Sequence, residues 1–224
     1  MVARSAARRN AWQGTLEVFS AAVGLILLSP LLVVIALAIK LNDGGAIFYA
    51  QTRVGKSFRP FKLLKFRSMV AGADRFALLT APGDARMTTV GRVLRKCKLD
   101  ELPQLFNVLK GEMQLVGPRP EVERYVHAFH ADYAMLLRDL PGITDPASIA
   151  YRNEDKMFDR ERMEEHYLTQ ILPDKLRISL EYQQRRNLLS DLMVLLRTLA
   201  PFTDQPVTGG AVHRDKPSPS KISH

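Results

Sequence analysis

The chain has 224 residues, enough for one compact domain with its own core, and 32 Lys and Arg against 23 Asp and Glu give it a net charge of +9. A basic excess of this size indicates polyanionic partners, such as nucleic acid, anionic lipid headgroups or phosphorylated substrates. The sequence has no zinc-finger spacing, RNP-like aromatic motif or basic region with heptads, which weakens the case for nucleic acid, and its single cysteine excludes an intrachain disulfide.

The first element is a long apolar segment, residues 18–39, which contains no charged side chain and ends at Lys40. As a straight helix it would rise about 33 Å, enough to cross the hydrocarbon core of a bilayer. Pro30, near its middle, removes the helical hydrogen bond to the Ile26 carbonyl, and the hydroxyl of Ser29 can satisfy that carbonyl instead. This Ser-Pro pair predicts a bend in the membrane helix.

Basic residues flank the apolar segment on both sides. They are Arg4, Arg8 and Arg9 before it and Lys40, Arg53, Lys56, Arg59 and Lys62 after it. Because cytoplasmic flanks are enriched in Lys and Arg, this distribution indicates that both ends lie on the same side of the membrane. A kinked re-entrant helix satisfies the flanks and the proline together. An ordinary kinked spanning helix also accommodates the proline, and the residues alone leave both alternatives open.

Strand-like and helical patterns follow in turn. Residues 46–53 and 58–69 alternate around a turn at Gly55, which predicts a short β-hairpin. Helices are predicted at residues 71–79, from Thr88 or Thr89 to Lys96, and at 121–140, 153–171 and 176–199, with Pro173 between the last two.

Two features of the second half bear on the membrane and on the core. The aromatic residues Tyr125, Phe129 and Tyr133 are expected to face the core rather than a lipid interface. Residues 188–202 are apolar with sparse charges, and could pack on the core or lie in the headgroup layer. The polar, Pro/Gly/Ser-rich residues 203–224 are predicted to be disordered.

The central block, residues 99–120, reads LDELPQLFNVLKGEMQLVGPRP. Apolar residues recur in it at helical spacing and Gly111 is expected to end that helix. Since a proline is tolerated in the first turn of a helix, Pro103 predicts a start near Asp100 or Glu101. The free amide groups of a helix N-terminus stabilise anions, so they should keep a carboxylate ionised and can also receive a phosphate.

Two adjacent carboxylates in that position suggest phosphoryl chemistry. An ionised carboxylate beside a phosphate site can attack phosphorus and form an acyl phosphate. The second carboxylate can hold Mg²⁺, which prefers carboxylate and phosphate oxygens and offsets the repulsion between two anions. The alternative is structural, with Asp100 an N-cap and Glu101 an ordinary first-turn acid, and spacing alone favours it.

Several cations lie near the block in sequence. Arg119 sits between two prolines in Gly-Pro-Arg-Pro, so its backbone is restricted and its guanidinium suits bidentate contact with a phosphate. Lys65, Arg67 and Arg95 are further candidates. The alternative for each of these cations is a solvated surface charge.

The central block, the KFRSM segment before it (residues 65–69) and the PGIT segment after it (residues 141–144) resemble the bacterial sugar transferase family. These are monotopic phosphoglycosyl transferases that begin the assembly of capsule, exopolysaccharide, O-antigen or glycan. The similarity extends over residues 12–202, and DELPQLFNVLKG together with GPRP is a long and specific combination.

The resemblance implies a catalytic pair that falls on Asp100 and Glu101. The aspartate would attack the β-phosphate of a UDP-sugar, release UMP and hold the sugar phosphate covalently until undecaprenyl phosphate accepts it, with Mg²⁺ as cofactor and Glu101 as its ligand. Basic positions of the family, which would bind substrate phosphate, fall on Arg67 (often lysine elsewhere), Arg95 and Arg119. A later family aspartate falls on Asp191, for which no role is assigned.

The resemblance also bears on the membrane helix and on specificity. A re-entrant helix broken at a Ser-Pro pair matches Ser29 and Pro30, which favours the re-entrant alternative. After residue 144 the chain departs from many relatives, since Asp-Pro-Ala-Ser stands where Gly-Trp-Ala-Gln is common. This departure leaves the identity of the sugar and the nucleotide pocket unassigned.

The combined expectation is an α+β fold, mostly helical, with a re-entrant membrane helix, a small β-hairpin and amphipathic surface helices. Residues 1–40 would form the N-terminal basic segment and membrane helix, 41–202 a cytoplasmic catalytic domain, and 203–224 a disordered tail. The expected location is the bacterial inner membrane, with a UDP-sugar donor, a polyprenyl phosphate acceptor and membrane lipids as partners, and without nucleic acid. A homodimer is left open. The alternatives are a non-catalytic, basic, membrane-tethered scaffold and a membrane-anchored nucleic-acid binder.

Overall fold

The structure is a computed structural model that describes residues 11–73, 79–80, 83–154 and 162–199. The predicted tail, the basic residues before residue 11 and most of the predicted helix 71–79 lie outside these ranges. Within them the fold is mostly helical with two small sheets, as the sequence predicted in outline.

The N-terminal element is one long helix, α1 (Ala11–Asp43), which stays helical through Pro30. The hydroxyl of Ser29 donates to the Ile26 carbonyl at 2.8 Å. This bond confirms the predicted compensation, because Ile26 is the acceptor that the proline leaves without its helical donor.

The predicted hairpin is present. Strands β1 (Phe48–Val54) and β2 (Pro60–Phe66) pair antiparallel over all seven residues of each. A short 3-10 turn, Lys56–Phe58, connects them, and the amide of Ser57 in that turn donates to the Leu137 carbonyl at 2.7 Å. The hairpin tip is therefore fastened to the helical part of the domain.

The central block follows the hairpin. Helix α2 (Thr89–Lys96) is capped by Thr88, whose hydroxyl accepts from the Gly91 amide at 2.9 Å, so the predicted start is confirmed. Helix α3 (Gln104–Leu109) ends just before Gly111, whose φ of +72° confirms the predicted stop.

A second sheet was not predicted. It consists of two parallel strands, β3 (Gln114–Val116) and β4 (Gly142–Thr144). Each strand has only three residues, too few for an alternating pattern to stand out from loops.

The remaining elements are helical: α4 (Glu123–Ala128), α5 (His130–Leu136), α6 (Pro146–Ala150), α7 (Met163–His166), a π-helical turn (Tyr167–Ile171), α8 (Leu172–Arg185) and α9 (Leu188–Leu199). The prediction of one helix at 121–140 was wrong, because the chain breaks at Phe129 (φ −124°, ψ 42°). The predicted break at Pro173 was also wrong. This proline lies in the first turn of α8, where it is tolerated, and the chain leaves the helix at Arg186 instead (ψ 144°).

Three clusters of buried apolar side chains hold these elements together. The largest joins α4, α5 and α8 and contains Tyr125 and Tyr133, which confirms that these aromatics face the core. A second packs Ala21 of α1 against the hairpin and the end of α3, and a third packs Ile35 and Ile39 of α1 against the hairpin and α2. Both halves of α1 are thus packed on the same domain.

Candidate active site

The carboxylate pair lies just before α3 and not within it. Lys98 adopts a left-handed conformation (φ 55°), the following residues Leu99–Glu101 form one 3-10 turn, and Pro103 precedes the first residue of α3. The expectation that the α-helix starts at Asp100 or Glu101 was therefore wrong by one turn. A 3-10 turn places the two acids on different sides, because successive residues in it are about 120° apart.

Glu101 points toward two cations. Its carboxylate accepts hydrogen bonds from both terminal nitrogens of Arg119, one of them at 3.1 Å, and from Nζ of Lys65 at 3.4 Å. Burial opposes ionisation of Glu101, but the charges of Arg119 and then Lys65 outweigh it and hold its pKa well below the usual range. Glu101 is therefore a fixed anion that orders two cations.

Asp100 has the opposite environment. It is 5% exposed, and its Oδ1 is buried and accepts no hydrogen bond from the described residues. Burial raises the pKa of this carboxyl, and the negative charge of Glu101 adds to the rise while Lys65 opposes it. Loss of solvent is the dominant influence on this carboxyl, a contribution that the argument from helix-terminus amides did not include. The site thus contains one ionised carboxylate paired with two cations, that of Glu101. Beside it lies the carboxylate of Asp100, with one oxygen that accepts no hydrogen bond from the described residues.

Arg119 is presented by a turn with close backbone contacts. The amide of Gly117 donates to the Thr144 carbonyl and that of Gly142 to the Pro118 carbonyl, both at 2.9 Å. A side chain at Gly142 would place its Cβ 2.1 Å from the nitrogen of Gly117, so only glycine allows this approach. The parallel strands β3 and β4 therefore hold the turn that carries the arginine.

The other predicted phosphate ligands are placed differently. Nε of Arg95 donates to the Ser68 hydroxyl at 3.2 Å, and the charge of Arg95 counteracts the burial-driven rise in the pKa of Asp100. Arg67 instead forms an ion pair with Asp43 at the end of α1. The structure brings Lys65, Arg95 and Arg119 around the carboxylate pair and gives Arg67 a partner at the end of α1.

Asp191 lies in the first turn of α9. It accepts from Arg186 at 2.9 Å and from the hydroxyl of Tyr182 at 2.5 Å. Arg186 in turn contacts the Val116 carbonyl, at the end of β3. Arg186 was not predicted as a site residue, because the sequence around it shows no motif and its partner on β3 lies 70 residues away.

Mg²⁺ can be tested against these residues. Among the described residues, no group of three or more His, Cys, Asp and Glu side chains is placed to hold a metal ion. Mg²⁺ often needs only one or two carboxylates besides substrate phosphates. The Asp100 carboxylate, whose Oδ1 accepts no hydrogen bond from the described residues, fits such a role, whereas both oxygens of Glu101 already accept from Arg119.

The surface outside the site is strongly apolar on two helices. Among the described residues, α1 is the one helix that is long and apolar enough, over residues 12–43, to cross a membrane. Only 11% of its most apolar 18-residue stretch is buried. Helix α9 also exposes apolar side chains, namely Leu188, Leu189, Leu192, Met193, Leu196 and Leu199. Both helices pack against β3.

Comparisons with known proteins show which family the sequence matches. The bacterial sugar transferase family profile matches residues 8–205. The exopolysaccharide production protein ExoY of Rhizobium meliloti is 35% identical over 199 residues, which cover 82% of this chain and 81% of the relative. The UDP-glucose:undecaprenyl-phosphate glucose-1-phosphate transferase of Caulobacter vibrioides is 37% identical over 189 residues, 82% of this chain and 67% of the relative. The UDP-N-acetylgalactosamine-undecaprenyl-phosphate N-acetylgalactosaminephosphotransferase of Aeromonas hydrophila is 41% identical over 142 residues, 61% of this chain and 33% of the relative.

Similarity over this much of the chain defines an enzyme of the phosphoglycosyl transferase class. The chain belongs to the bacterial sugar transferase family.

Proposed function

We propose that the enzyme transfers a sugar-1-phosphate from a UDP-sugar to undecaprenyl phosphate, through a covalent intermediate on Asp100, and so begins the synthesis of a surface polysaccharide or glycoconjugate. The observation that carries this proposal is the contrast within the carboxylate pair. Glu101 is bonded to two cations, whereas Asp100 presents a buried oxygen that accepts no hydrogen bond from the part of the chain that the structure describes. A carboxylate freed of water and of partners is the better nucleophile.

The reaction would proceed in two displacements at one phosphorus atom. Oδ1 of Asp100 attacks the β-phosphorus of the donor, the bond to the bridging oxygen breaks, and UMP leaves with that oxygen and its electron pair. An oxygen of undecaprenyl phosphate then attacks the same phosphorus and releases the Asp100 carboxylate. The products are UMP and a polyprenyl diphosphate sugar. No general base is required, because the acceptor phosphate is already anionic.

The cations around the pair would stabilise the donor phosphates. Arg119 offers a guanidinium fork on a restricted turn, and Lys65 and Arg95 approach from the hairpin and from α2. Mg²⁺, held by the Asp100 carboxylate together with the donor phosphates, would neutralise charge on the diphosphate. Arg67 would act at a distance from the pair, by fastening the end of α1 through Asp43.

We also propose that both ends of α1 lie on the cytoplasmic face of the inner membrane, with the helix re-entrant at Ser29 and Pro30. Near its start, Glu17 accepts from the Leu115 amide at 3.3 Å, and at its end Asp43 pairs with Arg67. The two bonds tie opposite ends of one helix to a single charged domain. A spanning helix would have to separate them by the bilayer, with the domain drawn into hydrocarbon.

The exposed apolar row of α9 would dock in the same leaflet. We therefore place residues 188–199 in the headgroup layer rather than in the core, because six large apolar side chains of this helix are more than 40% exposed.

The test is a UMP-release screen of the purified enzyme in lipid with Mg²⁺, polyprenyl phosphate and a panel of UDP-sugars. Release with at least one donor is expected, and it should be abolished in Asp100→Ala while the variant still sediments with membranes. A scaffold or nucleic-acid binder would show no UMP release with any donor. Salt-sensitive binding to random DNA without donor turnover would favour the nucleic-acid binder.

A further inference from the structure

A largely buried ion pair connects α9 to β3, the strand that leads into the turn that carries Arg119. The side chains of Arg186 and Asp191 are 14% and 17% exposed, and their nearest nitrogen and oxygen lie 2.9 Å apart. Asp191 also accepts from the Tyr182 hydroxyl at 2.5 Å. Two donors on one carboxylate fix the position of Asp191 and, through it, that of the Arg186 guanidinium.

The same nitrogen of Arg186 that contacts Asp191 also donates to the Val116 carbonyl, at 3.1 Å. Val116 is the last residue of β3, three positions before Arg119. The ion pair therefore holds the peptide at which the chain enters the turn.

Other bonds fix the rest of this turn. Its interior is held by the two backbone bonds with β4, and Arg53 donates to the Pro120 carbonyl at 3.3 Å where the chain leaves the turn. The entry, the interior and the exit are thus each restrained. Arg119, between them, reaches Glu101 with two nitrogens, a geometry that tolerates little displacement.

We propose that Asp191 and Arg186 are positioning residues for Arg119. Asp191 orients Arg186, Arg186 holds the Val116 carbonyl, and the turn then presents the guanidinium of Arg119 to Glu101 and to the donor phosphates. This role rests on the proposed function. In this role Asp191 acts through Arg186 and the turn, without contact to substrate.

The kinetic test compares Asp191→Asn with a matched control, Asp174→Asn. Asp174 likewise accepts from the hydroxyl of Tyr151 (2.7 Å) and from Arg177 (2.6 Å). Arg177, however, also bonds Glu181 of α8, whereas Arg186 bonds the Val116 carbonyl of β3. Asp191→Asn should lower kcat about tenfold with little change in donor KM, the pattern of an interaction lost from the transition state. Asp174→Asn should leave both constants near the wild-type values.

A double-mutant cycle with Arg119→Lys separates positioning from general stability. If Asp191 acts through Arg119, then Asp191→Asn should cost less than about twofold once Arg119 is lysine. If the fold-losses of kcat in the two single variants multiply in the double variant, or if Asp191→Asn has wild-type kinetics, the proposal is wrong. If Asp191→Asn does not fold, Arg186→Lys takes its place. It keeps the charge but loses the planar fork, and the same loss of kcat and the same cycle are expected.

Amide hydrogen exchange gives a readout that does not depend on turnover. The peptide covering residues 115–121 should exchange faster in Asp191→Asn than in wild type or Asp174→Asn. If wild type releases no UMP with any donor while this difference is present, the proposed function fails and the positioning of the turn stands. If exchange is the same in all three proteins, the positioning role fails whatever the activity.

Discussion

Replacement of Arg119 by lysine keeps the charge and removes the fork. In the structure the two terminal nitrogens of Arg119 meet the two oxygens of Glu101, one pair at 3.1 Å. A lysine can supply one such contact at a time, so one charge-assisted hydrogen bond is lost, worth about 1.5–3 kcal/mol. If the same fork engages the donor phosphates in the transition state, kcat/KM should fall about ten- to hundredfold.

The assay is initial-rate UMP release with donor and acceptor varied separately. Arg124→Lys is the matched control, because Arg124 pairs with Glu164 at 3.0 Å but its side chain is 66% exposed, and exposed pairs contribute little. Unchanged kcat/KM in Arg119→Lys would refute the role of the fork. An equal loss in Arg124→Lys would show that the effect is not specific to the site.

Three further predictions concern Asp100, the close backbone contact between Gly142 and Gly117, and α1. Because burial raises the pKa of Asp100 and only its ionised form attacks, donor-only UMP release should fall as pH drops through a value above that of an ordinary aspartate. Folding likewise disfavours the ionised form, so Asp100→Asn should abolish activity yet raise the melting temperature at pH 7, and a lower melting temperature would contradict this. Gly142→Ala should destabilise the protein by about 1–3 kcal/mol in denaturant unfolding, since its Cβ would lie 2.1 Å from the facing backbone nitrogen, whereas Gly14→Ala, with nothing within 4 Å, should not. Cysteines introduced singly at Trp12 and Asn42, in a variant without Cys97, should both react with a membrane-impermeant maleimide only when the reagent has access to the cytoplasmic side. Reaction of either cysteine with reagent added outside the cell would contradict the topology.

The sequence predicted the elements whose local signals are strong. The hairpin has two alternating stretches around a turn, α2 has a threonine cap, and the end of α3 has a glycine that adopts positive φ. The Ser29 bond to the Ile26 carbonyl was also predictable, because it depends only on a residue beside a proline in the same helix. Each of these features is decided within a few residues.

The features that the sequence did not predict depend on distant parts of the chain. The parallel pair β3–β4 forms between three-residue strands that have no pattern of their own. The pKa of Asp100 follows from burial, which a local helix-terminus argument cannot supply. Arg67 looked like its neighbour Lys65 in sequence, yet its partner is Asp43 at the end of α1. Asp100 and Glu101 were singled out as a candidate catalytic pair through the resemblance of their motif, because spacing alone favoured a structural role.

The proposed function depends above all on covalent attachment of the sugar phosphate to Asp100. The most direct measurement is intact-protein mass spectrometry after incubation with the donor alone, together with quantification of released UMP. The proposal predicts a mass increase equal to one sugar phosphate, UMP in an amount no larger than the enzyme present, loss of the adduct in Asp100→Asn, and its discharge on addition of polyprenyl phosphate. UMP that appears only when polyprenyl phosphate is present, with no adduct at any time, would contradict the covalent mechanism and leave Asp100 as a metal ligand or a structural acid.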